Sequence, residues 1–113
     1  MHEMSLAEGV LQLLEEQAET QRYHKVKQVW LNIGELAGVD VDALTFSLEV
    51  VCRDSLADGA VFHIVREPGR GWCLQCSREV ELPTRYHGCP HCGRYQIQVT
   101  GGTDMRVGEL EVE

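Results

Sequence analysis

The chain has 113 residues and a formal net charge of −8, so it has room for one core, or for one core with a small appendage. Its acidic composition argues against an open electrostatic hold on nucleic acid or on an anionic membrane. No apolar run approaches the roughly 20 residues that span a bilayer, and the N-terminus lacks the features of a secretory signal. We therefore expect a soluble cytoplasmic protein whose thiols stay reduced.

The N-terminal third predicts a helix. The segment from Ser5 to Glu8 has the form of a capping box, in which a hydroxyl and a carboxylate satisfy backbone N–H groups reciprocally. Apolar residues recur behind it at helical spacing, namely Leu6, Val10, Leu13, Leu14 and Ala18. We expect a helix over about 6–21 with a solvated acidic outer face.

A strand, a helix and a second strand follow. Alternation from Val26 to Gly34 predicts a strand that buries Val29, Leu31 and Ile33. Asp40 can cap a helix that runs to about Asp54. The apolar stripe of this helix comprises Val41, Leu44, Leu48, Val51 and Cys52. Residues 60–66 read as the next strand, after an Asp-Gly turn.

The composition changes at residues 67–71, where one proline and two glycines interrupt the pattern. Residues 72–100 contain too few aliphatic side chains for a core of their own and need another source of stability. After a glycine hinge at 101–102, alternation with a slip at Gly108 predicts a last strand that carries a β-bulge.

Together these elements predict an α+β fold. One lobe, 1–68 with 104–113, should combine a small three-stranded sheet with two helices. The other, 69–103, should be a four-cysteine zinc-ribbon lobe. The last strand is expected to return to the first lobe.

Two Cys-x-x-Cys pairs, separated by twelve residues, carry the strongest chemical signal. The pairs are Cys73 with Cys76 and Cys89 with Cys92. Two such turns can aim four thiolates at one point, which suits zinc. A thioredoxin-like redox pair would need a βαβ setting that is lacking here, and two disulfides would be unusual in a reducing compartment. A zinc held by four thiolates has no open position, so its role should be structural.

Three further side chains near these motifs have two interpretations each. Cys52 lies on the apolar stripe of the second helix, and we interpret it as a packed thiol. His87 and His91 flank the second pair. They are either exposed beside the loop or able to tune the site through protonation near neutral pH.

The second residue, His2, is a candidate nickel ligand together with nitrogens of the N-terminus. The Met1 amine, the backbone nitrogens of His2 and Glu3, and the His2 imidazole can form a planar four-nitrogen set, which favours Ni(II) or Cu(II) over Zn(II). Taken alone, a histidine here is more often just an exposed residue. Glu35 or Asp40 could add a carboxylate, although solvation and helix capping are the alternative roles.

The combined pattern resembles the HypA/HybF family of hydrogenase maturation nickel chaperones. The resemblance rests on residues 1–6, 29–36 and 46–52 and on the two cysteine pairs, and it covers essentially the whole chain. It implies that His2 is the nickel ligand, helped by the Met1 amine and the Glu3 backbone nitrogen, and that the four paired cysteines hold zinc. It also implies delivery of nickel to the large subunit of [NiFe] hydrogenase, together with the GTPase HypB. We expect a monomer or a weak homodimer.

Two other functions compete with this interpretation. A zinc ribbon that binds nucleic acid would fit the mildly basic 69–103 segment, but the rest of the chain is acidic and aromatic residues make up only 6%, which leaves few stacking platforms. An enzyme would need a catalytic motif, and the sequence has no P-loop, dinucleotide fingerprint or His-Glu-x-x-His. We therefore expect no enzymatic activity.

Overall fold

A computed structural model describes residues 2–113, and within them the chain forms two helices and six strands. In chain order these are α1 (His2–Gln21), β1 (Val26–Gly34), α2 (Val41–Val51), β2 (Val61–Glu67), β3 (Gly69–Cys73), β4 (Arg78–Leu82), β5 (Ile97–Gly101) and β6 (Met105–Val112). Within the same residues, the strands form two three-stranded sheets, ordered β2-β1-β6 and β4-β3-β5. The predicted α+β class is confirmed.

The described chain separates into two compact units. We call residues 2–31, 39–64 and 107–113 the helical unit, and residues 32–38 and 65–106 the cysteine unit. The sequence predicts different limits, 1–68 with 104–113 and 69–103. These limits concern which segments fold together, and they stay a prediction.

The core of the helical unit comes from both helices and from β1. Helix α1 packs against α2, and aliphatic side chains of each element are buried. The buried residues are Ala7, Val10 and Leu14 on α1, Leu44 and Leu48 on α2, and Val26, Val29 and Leu31 on β1. The Tyr23 hydroxyl donates to the Leu14 carbonyl at 2.8 Å, which ties the segment after α1 back to that helix.

Helix α1 begins at His2, earlier than the predicted start at Leu6, so the proposed capping box at Ser5 is wrong. Ser5 lies exposed inside the helix. The extra turn has a tertiary contact that local sequence cannot reveal, because the Glu3 carboxylate accepts a hydrogen bond from the Asp40 backbone N–H at 3.3 Å.

The predicted strand β1 is confirmed, and helix α2 is confirmed in its position and its cap but not in its end. Strand β1 buries Val29, Leu31 and Ile33 as expected, together with Val26. Asp40 caps α2, since its carboxylate accepts from the Ala43 N–H at 3.1 Å. The helix ends at Val51, earlier than Asp54, and the fifth cysteine, Cys52, is its buried C-terminal cap residue.

Strand β6 shows the predicted slip in its apolar alternation, while the β-bulge expected at Gly108 stays a prediction. The strand pairs with β1 at one edge of the β2-β1-β6 sheet. Its half-buried apolar residues are Met105, Val107 and Leu110, so the alternation slips around Gly108 as the sequence indicates.

The second sheet lies wholly in the cysteine unit and depends on two glycines in β3. A Cβ added at Gly69 would lie 2.4 Å from the Leu82 carbonyl oxygen and 2.5 Å from Leu36 Cγ. One added at Gly71 would lie 2.5 Å from Ile97 Cγ2. Only glycine fits these positions, because neighbouring chains occupy the space of a side chain.

The apolar cluster of the cysteine unit is small. Its buried members are Leu36, Cys73, Val80, Leu82 and Cys89, and the half-buried Cys76 and Ile97 pack against it. Three of these seven residues belong to the cysteine pairs. Hydrophobic burial in this unit therefore depends directly on the order of the cysteine side chains.

Among residues 2–113, no helix combines the length and the apolar character needed to cross a membrane.

Candidate metal centre

The four paired cysteines meet at one point. Their Sγ atoms all lie within 4.8 Å of one another. Two of the separations are 3.7 Å, between Cys73 and Cys92, and 3.9 Å, between Cys76 and Cys89. Each of these contacts joins one pair to the other, so the sulfurs form a single cluster across both pairs.

Both cysteine pairs are held by the same backbone turn. After Cys73, the N–H of Ser77 donates to the Cys73 carbonyl at 2.8 Å, and Ser77 has a positive φ of 52°. After Cys89, the N–H of Gly93 donates to the Cys89 carbonyl at 2.8 Å, and Gly93 has a φ of 74°. Each turn brings two sulfurs to the same side of the backbone.

Backbone N–H groups point at the first sulfur of each pair. The Cys76 N–H donates to Cys73 Sγ and the His91 N–H donates to Cys89 Sγ, both at 3.4 Å. Such donors stabilise a thiolate more than a thiol, because the negative sulfur is the better acceptor. The turns therefore prepare the sulfurs to bind a cation as thiolates.

The ionisation of the cluster is uneven when the thiols have only each other as partners. Burial opposes ionisation of Cys89, but N–H groups of Cys92 and His91 and hydrogen bonds from Cys73 and Cys92 lower its pKa to about 6. The hydrogen bond with Cys92, with burial and contacts to the other two sulfurs, raises the pKa of Cys76 to about 12. A dication would remove this conflict by giving all four thiolates an opposite charge.

The observed spacing fits a structural zinc site. Zn–S bonds of about 2.3 Å in a tetrahedron place the sulfurs about 3.8 Å apart, close to the two inter-pair separations. The predicted set of Cys73, Cys76, Cys89 and Cys92 is the one metal-ligand cluster found among residues 2–113.

Neither His87 nor His91 is a member of this cluster. Both rings are exposed, and His87 Nδ1 lies 2.6 Å from the Gly88 carbonyl oxygen. Cys52 is also separate from the cluster and is 3% exposed in the helical unit. Burial raises the pKa of its thiol, with smaller contributions from Asp58 and Glu15, as expected for a packed, unreactive group.

The candidate nickel ligands lie at the start of α1. Met1, whose amine the sequence analysis included, lies outside the described residues. His2 is the first described residue of the helix; its side chain is 60% exposed, and its Nδ1 lies 3.6 Å from Glu3 Oε2. The hydrogen bond from the Asp40 N–H lowers the pKa of the Glu3 carboxyl.

Sequence spacing did not reveal the backbone groups that complete the cysteine site. The donors at Cys76 and His91 and the left-handed residues Ser77 and Gly93 are evident only in three dimensions. One signal was available, since Gly93 follows the first cysteine of its pair by four residues, where a turn favours glycine. Ser77 takes the matching place without that signal.

A four-cysteine site held by two similar backbone turns, in an acidic α+β chain, is typical of a small metal-binding protein. Comparison with known proteins specifies the class further. The family model described as "Hydrogenase/urease nickel incorporation, metallochaperone, hypA" matches residues 1–112. The chain therefore belongs to the HypA family of nickel metallochaperones.

Individual relatives agree over the full length. The chain is 58% identical to hydrogenase maturation factor HypA of Azotobacter chroococcum mcd 1 and 53% identical to that of Alkalilimnicola ehrlichii, covering 100% of both sequences in each comparison. The solution structure of the Ni metallochaperone HypA from Helicobacter pylori is similar, with a TM-score of 0.71 at 28% identity, covering 97% of this chain and 96% of that one.

Proposed function

We propose that this chain binds Ni(II) through the His2 imidazole, the Met1 amine and the Glu3 backbone nitrogen, and delivers it for the maturation of [NiFe] hydrogenase. The observation that carries the proposal is that His2 and Glu3 belong to the first turn of α1. The first four N–H groups of a helix have no acceptor within the helix. These nitrogens can therefore bind a metal without breaking a helical hydrogen bond.

The exposed His2 ring is accessible to an incoming ion. Successive five-membered chelate rings hold the N–Cα–C–N torsion near zero, roughly 40° from the helical value of ψ. We expect His2 to leave helical geometry when nickel binds, at small cost because helix ends fray easily. Planar nitrogen ligation selects Ni(II) or Cu(II) against Zn(II).

A chaperone must also release its cargo. Protons compete with the metal for the amine, for the backbone nitrogens and for the imidazole. All these ligands lie at one chain end, so an acceptor can replace them one at a time without opening a rigid cavity.

We further propose that Zn(II) is the ion of the cysteine cluster and that it folds residues 69–103 as one lobe, while 1–68 with 104–113 form the nickel-binding lobe. The sulfur spacing and the small apolar cluster support this assignment. Four thiolates fill every position of a tetrahedral zinc. The zinc would hold the lobe in shape, and we propose no enzymatic activity for it.

The partners we propose are the HypB GTPase and the [NiFe] hydrogenase large subunit, with the chain acting in the cytoplasm as a monomer or weak homodimer. Family membership supports a role in this pathway. Cysteines that bind a metal as thiolates need a reducing compartment. The net charge of −8 disfavours nucleic acid and anionic membrane as partners.

The proposal is tested by titrating untagged, zinc-loaded protein with Ni(II) in a weakly competing buffer. Two variants alter the proposed nickel site, namely His2→Gln and an added residue before Met1. We expect at least a tenfold loss of nickel affinity in both, because each removes or displaces a nitrogen ligand. Zinc should stay at one per chain. His24→Gln is the matched control, since His24 is also exposed but lies after α1.

The pH dependence of nickel affinity is a second test of the same site. Nickel affinity should fall as the pH is lowered, because the ligands must lose protons to bind. An affinity independent of pH, or unchanged by blocking the N-terminus, would refute the nickel site and leave the zinc assignment intact.

A further inference from the structure

A groove in the cysteine unit lies along strand β4 and encloses about 680 Å³. Residues 79–83 line it in unbroken succession. Four of them belong to β4, and Gly69 and Arg70 of the neighbouring strand β3 also line the groove. The groove therefore lies beside β4, whose outer edge is the edge of the sheet.

That edge is unpaired. The sheet order is β4-β3-β5, so β3 covers one side of β4, and no strand among residues 2–113 pairs with the other. The groove is also lined by His87, Pro90 and His91, which lie in turns and coil. An edge strand beside an open space presents unsatisfied N–H and C=O groups, which is the surface that an added strand pairs with.

The charges along the groove indicate what can pair there. In the register of the sheet, Arg70 of β3 lies opposite Glu81 of β4, and Trp72 lies opposite Glu79. Arg70 contacts both glutamates, at 3.5 Å to Glu79 and 4.0 Å to Glu81. A strand added beyond β4 would place its own side chains next to the same two carboxylates on their free side.

Cross-strand neighbours of opposite charge stabilise a sheet, and like charges destabilise it. Glu35 adds a third carboxylate to the groove, where Arg70 is the one guanidinium. The acidic edge thus favours a basic strand and disfavours a second copy of β4, which would set glutamates against glutamates.

We propose that β4 and its groove bind an extended, basic peptide segment of a partner protein, which joins the sheet as a fourth strand. Pairing is limited to about four residues, because β4 ends at Leu82 and Pro83 follows. The site would be short and its binding reversible. It goes beyond nickel binding and uses none of the nickel ligands.

The test uses zinc-loaded protein and a capped octapeptide of alternating valine and lysine, followed by NMR of the backbone amides. We expect shifts at residues 79–82 and 87–91. Two further peptides carry N-methyl groups on either the odd or the even residues. One should bind at least tenfold more weakly and the other nearly normally, because an added strand points alternate N–H groups at its neighbour.

Charge is tested with a glutamate version of the peptide and with two protein variants. Glu35→Gln should weaken binding of the lysine peptide about two- to fivefold. The matched control, Glu109→Gln, changes an exposed residue of β6 outside the groove. It should leave binding of the lysine peptide unchanged.

Four results would overturn the proposal. Absence of shifts at β4 with millimolar lysine peptide would exclude a peptide site, and equal binding of both N-methylated peptides would exclude strand addition. Equal binding of the glutamate peptide would exclude charge selection. Shifts at residues 79–82 that appear with rising protein concentration alone would identify a second copy of the chain as the occupant.

Discussion

The helical unit encloses long aliphatic side chains from two helices and a strand, including Leu14, Leu31, Leu44 and Leu48 at 0% exposure. The cysteine unit has few such residues, and its small cluster includes three of the four paired cysteines. Burial of aliphatic surface, at about 25 cal/mol per Å², can stabilise the first unit. The cysteine unit buries little aliphatic surface and instead brings four sulfurs together.

This difference has a consequence for function. A metal that folds its own unit is retained, because losing it costs the folding free energy of that unit. The proposed nickel ligands lie at the end of a helix whose core is already complete without nickel. Nickel can therefore leave at little cost in stability, as a cargo must.

The largest expected effect comes from removing the zinc proposed for the cysteine unit. Structural zinc in small domains contributes about 10–16 kcal/mol, more than the stability of a typical domain. A strong chelator should therefore collapse the amide signals of residues 65–106 in an NMR spectrum, while those of residues 39–64 keep their dispersion.

Single cysteine variants separate the cluster from thiols in general. Cys76→Ala should reproduce the effect of the chelator, and Cys52→Ala should keep one zinc per chain, because Cys52 lies outside the cluster. Persistent dispersion of residues 65–106 after complete metal removal would contradict the proposed division of stability.

The second prediction concerns the helical unit, where a substitution should lower stability and leave zinc bound. Leu48→Ala removes a fully buried side chain from α2 and should lower the unfolding free energy of the helical unit by about 2–5 kcal/mol. Hydrogen exchange of the amides in α1 and α2 reports this loss, and metal analysis should still find one zinc per chain.

Phe46→Ala is the control on the same helix. Phe46 is 59% exposed, so its removal should change stability by no more than about 0.5 kcal/mol. A loss of zinc in Leu48→Ala would mean that the two units do not draw on separate sources of stability.

The contrast between the units also explains how far the sequence could predict the fold. In the helical unit, apolar periodicity and an Asp cap predicted β1 and α2, because their buried faces are made of the residues that create those patterns. The start of α1 was missed, because the Glu3 to Asp40 contact joins residues distant in sequence.

In the cysteine unit, apolar periodicity predicted little of the structure. Strand β3 turns Gly69, Gly71 and Cys73 inward, and glycines at buried positions produce no apolar alternation. The cysteine spacing nevertheless predicted the four-sulfur cluster, since ligand geometry is encoded in the two short turns. The groove along β4 was invisible, because an unpaired edge depends on which strands pair elsewhere.

The smallest expected effect in this series tests the close packing of β3. Gly69→Ala places a methyl group against the Leu82 carbonyl and Leu36, and overpacking of this kind costs about 1–3 kcal/mol. Under the proposed coupling of zinc binding to folding in the cysteine unit, the cost should appear as zinc affinity about fivefold to 150-fold weaker in a competition assay.

Gly101→Ala provides the matched control on the neighbouring strand β5. The nearest atom to its added Cβ would be Arg70 Cβ at 3.8 Å, an ordinary contact, so zinc affinity should change little. If Gly69→Ala lowered the stability of the cysteine unit but left zinc affinity intact, folding and metal binding would not be coupled there. The unit would then owe its structure to packing around glycine rather than to its sulfurs.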